Sequence, residues 1–456
     1  MRNWKIIATG GLLILSEYFG PIYAQNVPGQ FKDGEKAVFF GDSITHGGWY
    51  EYYIQLFYAT RFPYRKIQFE NAGVAGATAT GSLSRINNDV IVHKPDWVYI
   101  MFGMNDVGRD NYRTLQTDQK IMDARSGSLK IYKSSMDTTI KKIKDSGAVP
   151  VIVTPSPYDQ YGRNINTENY TACNDGLAKC SEIARTLAAE NKCLVADIHT
   201  PITELMIKNT ELKLAGMDRV HPDQAGHMVI AYYILQAQKV PELVSEIVID
   251  SAAMTVDKTE KCSVENLKFK DGSVKFTYSP MALPFPVSSE YSKANKIIPW
   301  ESLNQEIIQV KNFPAGDYRL LTDGKEVGCF SATQFASGVN IAPLTTPRQE
   351  RSAQIRLAVI AKADADRPLR GLVQVNCILW DAKISPADIP TADKYLDEWL
   401  AKVGEQYKKY YTNVIKSYRG NRNILQYLTK KAKEAQDKIF ELQKLEPCLI
   451  EIIRQN

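Results

Sequence analysis

The chain has 456 residues, of which 44% are hydrophobic and 23% are charged, and its formal net charge at pH 7 is +5. This length is too great for one compact core and predicts two or three domains. The composition excludes a globally disordered chain, and so mild a positive charge gives no reason to expect a nucleic-acid partner.

The amino terminus has the pattern of a secretory signal peptide. Arg2 and Lys5 precede the apolar run IIATGGLLIL, and the small residue Ala24 follows it. Glu17 interrupts the apolar stretch, which is therefore too short to span a bilayer. The sequence predicts a signal peptide over residues 1–24, a mature chain that begins at Gln25, and export to the periplasm or the medium without membrane insertion.

Residues 35 to about 245 alternate strand-like and helix-like segments. The strand-like segments are mostly continuous apolar runs, as in strands that helices cover on both faces; they are KAVFFG, KIQFENAG, DWVYIMFG, VPVIVTP and CLVADI. The clearest helical pattern has apolar residues three or four apart at Leu129, Tyr132, Met136, Ile140 and Ile143. This order predicts an α/β fold with a doubly wound, parallel, five-stranded sheet over a first domain of residues 25–250.

The second half of the chain predicts an α+β extension. Short strand-like pieces indicate a small strand-rich segment over residues 251–345. The amphipathic stretch RQERSAQIRLAVIAKA then begins a helical region over residues 346–456. From Thr391 onward we expect a helical hairpin, broken near RGNRN, whose charged residues form a solvated face. No chemical motif assigns this extension a role, so glycan binding, dimerisation and a contact with the active-site edge all stay open.

The seven cysteines do not describe a metal site. Their number is odd and their spacing is loose, unlike a zinc site or a dense disulfide scaffold. One or two disulfide bonds stay open in an oxidising compartment. Cys173 and Cys180 lie on a predicted helix face and are interpreted as core residues.

Polar clusters follow four of the predicted strands. Gly-Asp-Ser, ending at Ser43, follows the first strand, and NAGVAGAT, which contains Gly73, follows the second. GMND, with Asn105, follows the third, and DRVHP, with Asp218 and His221, lies beyond the fifth. Because ligands bind at the carboxyl ends of parallel strands, these clusters are expected to meet.

Together the clusters contain the groups that acyl transfer requires. Ser43 is the candidate nucleophile, His221 its base, and Asp218 the carboxylate that orients the imidazole. The backbone N–H groups of Ser43 and Gly73 and the side-chain amide of Asn105 are the candidate donors to an oxyanion. A simpler interpretation is also open for each residue; Asp42 or Ser43, for example, would cap the next helix.

These blocks resemble the SGNH hydrolases, also called GDSL-like esterases and lipases. The four residues of the family's name fall on Ser43, Gly73, Asn105 and His221. Asp218 completes the Asp-x-x-His-Pro block, Ile44 stands where the family's other name has leucine, and the resemblance covers residues 35 to about 245. It implies a flavodoxin-like sheet and ester hydrolysis without a metal or other cofactor. The chain has no G-x-S-x-G motif, so the α/β-hydrolase alternative lacks a nucleophile.

The substrate is indicated by the loops after the third and fourth strands. They carry Arg109, Tyr112 and Tyr158, which together with His46 are the candidate pocket residues. Such hydrogen-bonding and aromatic groups suit sugar rings, although they are also common on secreted proteins in general.

We therefore predict an exported esterase that removes acetyl or similar small acyl groups from a glycan or small-molecule ester. A lipid esterase or lysophospholipase with the same triad is one alternative, and a non-catalytic glycan-binding protein is another. The oligomeric state is left open.

Overall fold

The structure is a computed structural model that describes residues 27–113 and 118–455. The predicted signal peptide and Gln25 lie outside the described residues. Within the described ranges, no helix combines the length and apolar character needed to cross a membrane. All seven cysteines are free.

A parallel five-stranded sheet forms the centre of the first half of the chain, as the sequence predicts. Its strands are β1 (Lys36–Gly41), β2 (Gln68–Gly73), β3 (Trp97–Met101), β4 (Val149–Val153) and β5 (Leu194–Ala196). The spatial order is β2-β1-β3-β4-β5, and every pair is parallel. This is the flavodoxin-like order, in which the direction of winding changes between β1 and β3.

Helices cover both faces of this sheet, which explains why its strands are so apolar. They are α1 (Ser43–Gly47), α2 (Trp49–Arg61), α3 (Ile86–Asp89), α4 (Gln119–Asp145), α5 (Cys173–Glu190), α6 (His199–Lys208) and α7 (Gln224–Ala237). In α4 the predicted apolar face is buried at Tyr132, Met136, Ile140 and Ile143, and Leu129 is partly buried against the same core. Burial of one apolar stripe against the sheet stabilises this helix more than its own propensity does.

Two antiparallel or mixed sheets follow. Their strands are β6 (Leu243–Asp250), β7 (Thr255–Glu260), β8 (Cys262–Lys270), β9 (Ser273–Pro280), β10 (Gln305–Lys311), β11 (Asp317–Thr322), β12 (Lys325–Ser331), β13 (Val339–Asn340) and β14 (Cys448–Arg454). The first sheet has the order β13-β10-β6-β7, and the second has the order β12-β11-β14-β9-β8. They share one apolar core that includes Ile247, Phe276, Ile308 and Ile450. β6 ends at the predicted domain boundary yet pairs with β10 beyond it; the division into domains stays a prediction.

The remaining helices connect these sheets and form the helical region. They are α8 (Ser289–Ala294), α9 (Ala332–Ser337), α10 (Pro347–Asp381), α11 (Ile389–Lys402), α12 (Glu405–Asn421) and α13 (Leu425–Leu442). α10 packs on α2 and β2 of the first half and against α13 of the region itself.

The tail contains the helical region that the sequence indicates, but it differs from the expected hairpin in two features. α12 and α13 lie on either side of the predicted break, and α11 is an additional helix before them. The last residues form a strand, β14, rather than helix. β14 lies between β9 and β11, because the alternating buried residues Cys448, Ile450 and Ile452 complete the apolar face of that sheet.

Candidate active site

Ser43 lies at the end of β1, in the first turn of α1. The Asp42 carboxylate accepts a hydrogen bond from the N–H of Ile44 at 3.0 Å. The backbone carbonyl of Asp42 accepts one from the N–H of His46 at 2.8 Å. Asp42 therefore caps the helix, and the Ser43 hydroxyl is left for another partner. Burial raises the pKa of Asp42 to about 6, against the opposing effects of the Ile44 N–H and of the His221 and Arg109 charges.

Ser43, His221 and Asp218 form a continuous hydrogen-bonded chain. His221 Nε2 is 2.8 Å from Ser43 Oγ, and His221 Nδ1 is 2.5 Å from Asp218 Oδ2. The three side chains come from opposite ends of the α/β unit in sequence, since Ser43 and His221 are 178 residues apart. This is the geometry in which an imidazole removes a proton from a serine while a carboxylate fixes its tautomer.

Asp218 also organises the loop that carries the histidine. Its second oxygen accepts the backbone N–H groups of Val220 at 3.0 Å and His221 at 2.9 Å. Partial burial alone would raise the pKa of Asp218, but these bonds and the His221 ring lower it below its ordinary value. The carboxylate is therefore ionised at neutral pH and able to accept the ring N–H.

Arg219 fixes this loop and was not singled out in the sequence. Its backbone has a positive φ of 66°, and its buried guanidinium donates to the carbonyls of Asp159 at 2.9 Å and Gly162 at 3.1 Å. Its Nε donates to the carbonyl of Thr167 at 3.1 Å. The sequence indicates this residue only by its position, since Arg219 lies inside the Asp-x-x-His block directly after Asp218.

The structure corrects the expectation that the Gly73 N–H points to the substrate. That N–H donates to Asn71 Oδ1 at 2.8 Å and is therefore already occupied. A Cβ at position 73 would collide with the backbone of His46. Gly73 thus allows α1 to pack closely on the end of β2, which is a structural requirement of its own.

Gly76, three residues later, has the properties that were expected of Gly73. It is exposed, has a φ of 76°, and a Cβ there would meet open space. Its N–H has no hydrogen-bond partner among the described residues. Its neighbours are fixed, because Ala75 N donates to His46 Nδ1 at 3.2 Å and Ala77 O accepts Asn105 Nδ2 at 2.9 Å.

Asn105 lies just beyond β3, beside the change in winding direction. One N–H of its amide is used by Ala77, which leaves the other for a ligand. Asn105 and Asp218 both line a cavity of about 860 Å³. The neighbouring Asp106 accepts the N–H of Ala79 at 2.8 Å, and burial raises its pKa to about 7. The bond to Ala79 ties the segment after β3 to the loop that follows β2.

Two of the four predicted pocket residues line this cavity. Arg109 and Tyr158 do so, although Tyr158 is almost fully buried. Tyr112 does not, because its ring lies in the core with the Arg125 guanidinium over it, 4.3 Å from the ring centre. His46 lines a different cavity, of about 350 Å³, against α10 and α12, and burial lowers its pKa to about 4.

Polar and aromatic groups form the remaining walls of the cavity of about 860 Å³. Arg113 pairs with Glu168 at 2.7 Å and with Asp110 at 2.9 Å, and its guanidinium lies 4.7 Å from the centre of the Tyr170 ring. The helical region supplies Gln406 and Tyr407 from the first turn of α12. No group of three or more potential metal ligands occurs in the part of the chain that the structure describes.

Comparisons with known proteins agree with this arrangement. The model of the GDSL-like Lipase/Acylhydrolase family matches residues 39–229. An acetylxylan esterase from Geobacillus stearothermophilus is 30% identical over 219 residues, which cover 44% of this chain and 93% of that enzyme. These matches confirm the resemblance stated from the four blocks.

One solved structure extends the likeness to 94% of this chain. A gut microbial diltiazem-metabolizing enzyme is 26% identical, with a TM-score of 0.85 over 94% of this chain and 100% of that one. A structure of the acetylxylan esterase from Geobacillus stearothermophilus is 26% identical, with a TM-score of 0.38 over 46% of this chain and 96% of that one. The chain belongs to the GDSL-like lipase/acylhydrolase family and is a serine ester hydrolase.

Proposed function

We propose that the protein is an exported esterase that removes acetyl or other small acyl groups from carbohydrates through a Ser43-bound acyl intermediate. The observation that carries the proposal is the unbroken hydrogen-bond chain from Ser43 Oγ through His221 to Asp218. The acetylxylan esterase from Geobacillus stearothermophilus supports the choice of acyl group and alcohol.

The reaction follows from the position of each group. Ser43 Oγ attacks the ester carbonyl carbon while His221 Nε2 takes the hydroxyl proton, and Asp218 stabilises the resulting imidazolium. The attack forms a tetrahedral intermediate. This intermediate collapses to the acyl-enzyme when His221 gives its proton to the oxygen of the departing alcohol. A water molecule, deprotonated by the same nitrogen, then attacks the acyl carbon. His221 Nε2 gives that proton to Ser43 Oγ as the acyl–oxygen bond breaks, which releases the acid and restores the serine hydroxyl.

Three donors are suited to hold the oxyanion during both steps. They are the N–H groups of Ser43 and Gly76 and the free amide N–H of Asn105. Gly76 replaces Gly73 in this role because the Gly73 N–H is bonded to Asn71. Donors fixed before the reaction stabilise the developing charge without reorganisation, and each is worth a hundredfold or more in turnover as an order of magnitude.

The cavity favours a polar alcohol over a long acyl chain. Besides Asp218, four charged side chains line it, Arg109, Asp110, Arg113 and Glu168, and a long apolar chain would remove water from them at a cost. A second cavity, of about 770 Å³ and lined by Leu369, Leu372 and Trp380 among others, contains none of the triad residues. Hydrolysis of acetylated xylo-oligosaccharide, long-chain para-nitrophenyl ester and diltiazem by the same preparation tests the substrate class. A preference for the long-chain ester would give the assignment to a lipid esterase.

Tyr407 is the aromatic group best placed to stack on a sugar ring. We expect Tyr407→Ala to raise the KM for acetylated xylo-oligosaccharide by about three- to tenfold, the equivalent of roughly 1 kcal/mol of lost ring contact. The kcat/KM for para-nitrophenyl acetate should not change.

The matched control for this substitution is Tyr427→Ala. Tyr407 and Tyr427 are both 57% exposed, but of the two only Tyr407 lines the cavity of about 860 Å³ that Asn105 and Asp218 also line. Equal effects of the two substitutions on the oligosaccharide would contradict the stacking role.

Export is the last part of the proposal and depends on residues 1–24 of the sequence alone. Amino-terminal sequencing of the protein recovered from the periplasm or medium should give Gln25 or a neighbouring residue as the start. An intact Met1 in the mature protein would contradict it.

A further inference from the structure

A buried arginine of the helical region contacts the catalytic half of the chain. Arg370 lies on α10, beyond residues 39–229 that the family model matches. Its Nε donates to the carbonyl of Gly73 at 3.0 Å. Its two terminal nitrogens donate to the two oxygens of Asp89 at 2.6 and 2.7 Å. Such a bidentate pair fixes both the position and the plane of the guanidinium.

Asp89 connects Arg370 to β1, the strand that ends just before the nucleophile. It also pairs with Arg85, whose guanidinium donates to the carbonyls of Ala72 at 2.8 Å and Gly41 at 3.0 Å. The same Gly41 carbonyl accepts the N–H of Val74 at 3.1 Å. All three charged side chains are almost fully buried, so water cannot replace one of these bonds at low cost.

The contacts close into a ring. The ring runs from Arg370 to the Gly73 carbonyl, across the Gly73–Val74 peptide to Gly41, and back through Arg85 and Asp89. One side of the ring ends at Gly41, directly before Asp42 and Ser43. The other side begins the loop that leads to Gly76. The ring therefore links the turn before the nucleophile to the loop that carries a proposed oxyanion donor.

We propose that Arg370 is a positioning residue for the acyl-transfer site, so that the helical region is part of the catalytic unit. This inference rests on the proposed roles of Ser43 and Gly76. Displacement of catalytic groups by about 1 Å costs roughly a hundredfold in rate. Loss of the Gly73 contact should accordingly affect turnover more than ground-state binding.

Lys362 provides a matched control on the same helix. It is buried, donates to the carbonyl of Phe69 at 3.0 Å on the same strand β2, and pairs with Asp366 at 2.7 Å. Phe69 lies near the start of β2, away from the loop after Gly73. Lys362→Met therefore removes a buried cation between α10 and β2 without loosening the catalytic turns.

The experiment compares Arg370→Met, Arg370→Lys and Lys362→Met in the full chain with para-nitrophenyl acetate. We expect Arg370→Met to lower kcat by about ten- to a hundredfold with KM within about twofold of the native value. Lys362→Met should keep kcat within about threefold of the native value, even if it lowers the melting temperature as much as Arg370→Met does. Arg370→Lys, which keeps the charge beside Asp89, should recover part of kcat, and it is the variant to use if Arg370→Met does not fold.

The outcomes separate this inference from the proposed function. If Ser43→Ala abolishes hydrolysis but Arg370→Lys and Arg370→Met keep native kcat, only the positioning role is overturned. Equal losses of kcat in Arg370→Met and Lys362→Met would also overturn it, since both would then act through packing. If hydrolysis does not depend on Ser43, the proposed function and this inference both fail.

Discussion

Ser43→Ala is expected to lower kcat for para-nitrophenyl acetate by about 10⁴-fold or more, because Ser43 Oγ is the hydroxyl that contacts the His221 base. The Ser43 hydroxyl does not cap α1, a role that Asp42 fills, so the helix should keep its cap. We therefore expect an unchanged far-ultraviolet circular dichroism spectrum and a melting temperature close to the native one.

Ser134→Ala is the control for this substitution. Ser134 is exposed on α4, and its hydroxyl donates to the carbonyl of Ile131 in its own helix. Its replacement should leave kcat unchanged. Residual activity of Ser43→Ala within about tenfold of the native enzyme would show that another nucleophile, or an activated water, performs the reaction.

The second large effect is expected on stability, from Asp89→Asn. Asp89 is 3% exposed and pairs with Arg85 and Arg370, which are 1% and 7% exposed. Burial alone would raise the pKa of Asp89, but the two arginines lower it, so the folded protein holds the ionised form. The amide would leave two buried guanidinium groups without a counter-charge, which costs about 3–5 kcal/mol. Urea unfolding at constant pH measures this loss in the free energy of unfolding.

Asp393→Asn is the matched control for Asp89→Asn. Asp393 also pairs with two arginines, Arg419 and Arg422, but its side chain is 30% exposed. Solvent screens these pairs, so the substitution should cost no more than about 1 kcal/mol. Equal losses in the free energy of unfolding for the two substitutions would show that burial does not determine how much the Asp89 ion pairs contribute to stability.

The α/β fold could be predicted because its signals are local. The apolar runs and the pattern of Tyr132, Met136, Ile140 and Ile143 are confirmed as strands and as the buried face of α4. The triad candidates follow from the rule that ligands bind at strand ends, since β1 and the loop before α7 both end at that edge of the sheet.

Other features could not be predicted because they depend on contacts between distant residues. NAGVAGAT contains two glycines, and contacts formed in the fold separate their roles: the Asn71 side chain binds the Gly73 N–H, and Gly73 packs against His46 while Gly76 faces open space. β14 is a short apolar stretch that could be a strand or a buried helix segment from its sequence. It forms a strand because it pairs with β9 on one side and β11 on the other. Arg370 lies 297 residues from the Gly73 carbonyl that it holds. Tyr112 was expected in the pocket from its loop position, yet its ring is buried beneath Arg125.

The central claim is that Ser43 is a nucleophile activated by His221. Reaction of the full chain with a serine-directed fluorophosphonate, followed by peptide mass spectrometry, tests it most directly. The account predicts one adduct, on the peptide that contains Ser43, formed rapidly in the native protein and at least about a hundredfold more slowly in His221→Ala. An adduct on another residue, or an equal rate of labelling at Ser43 in His221→Ala, would contradict it.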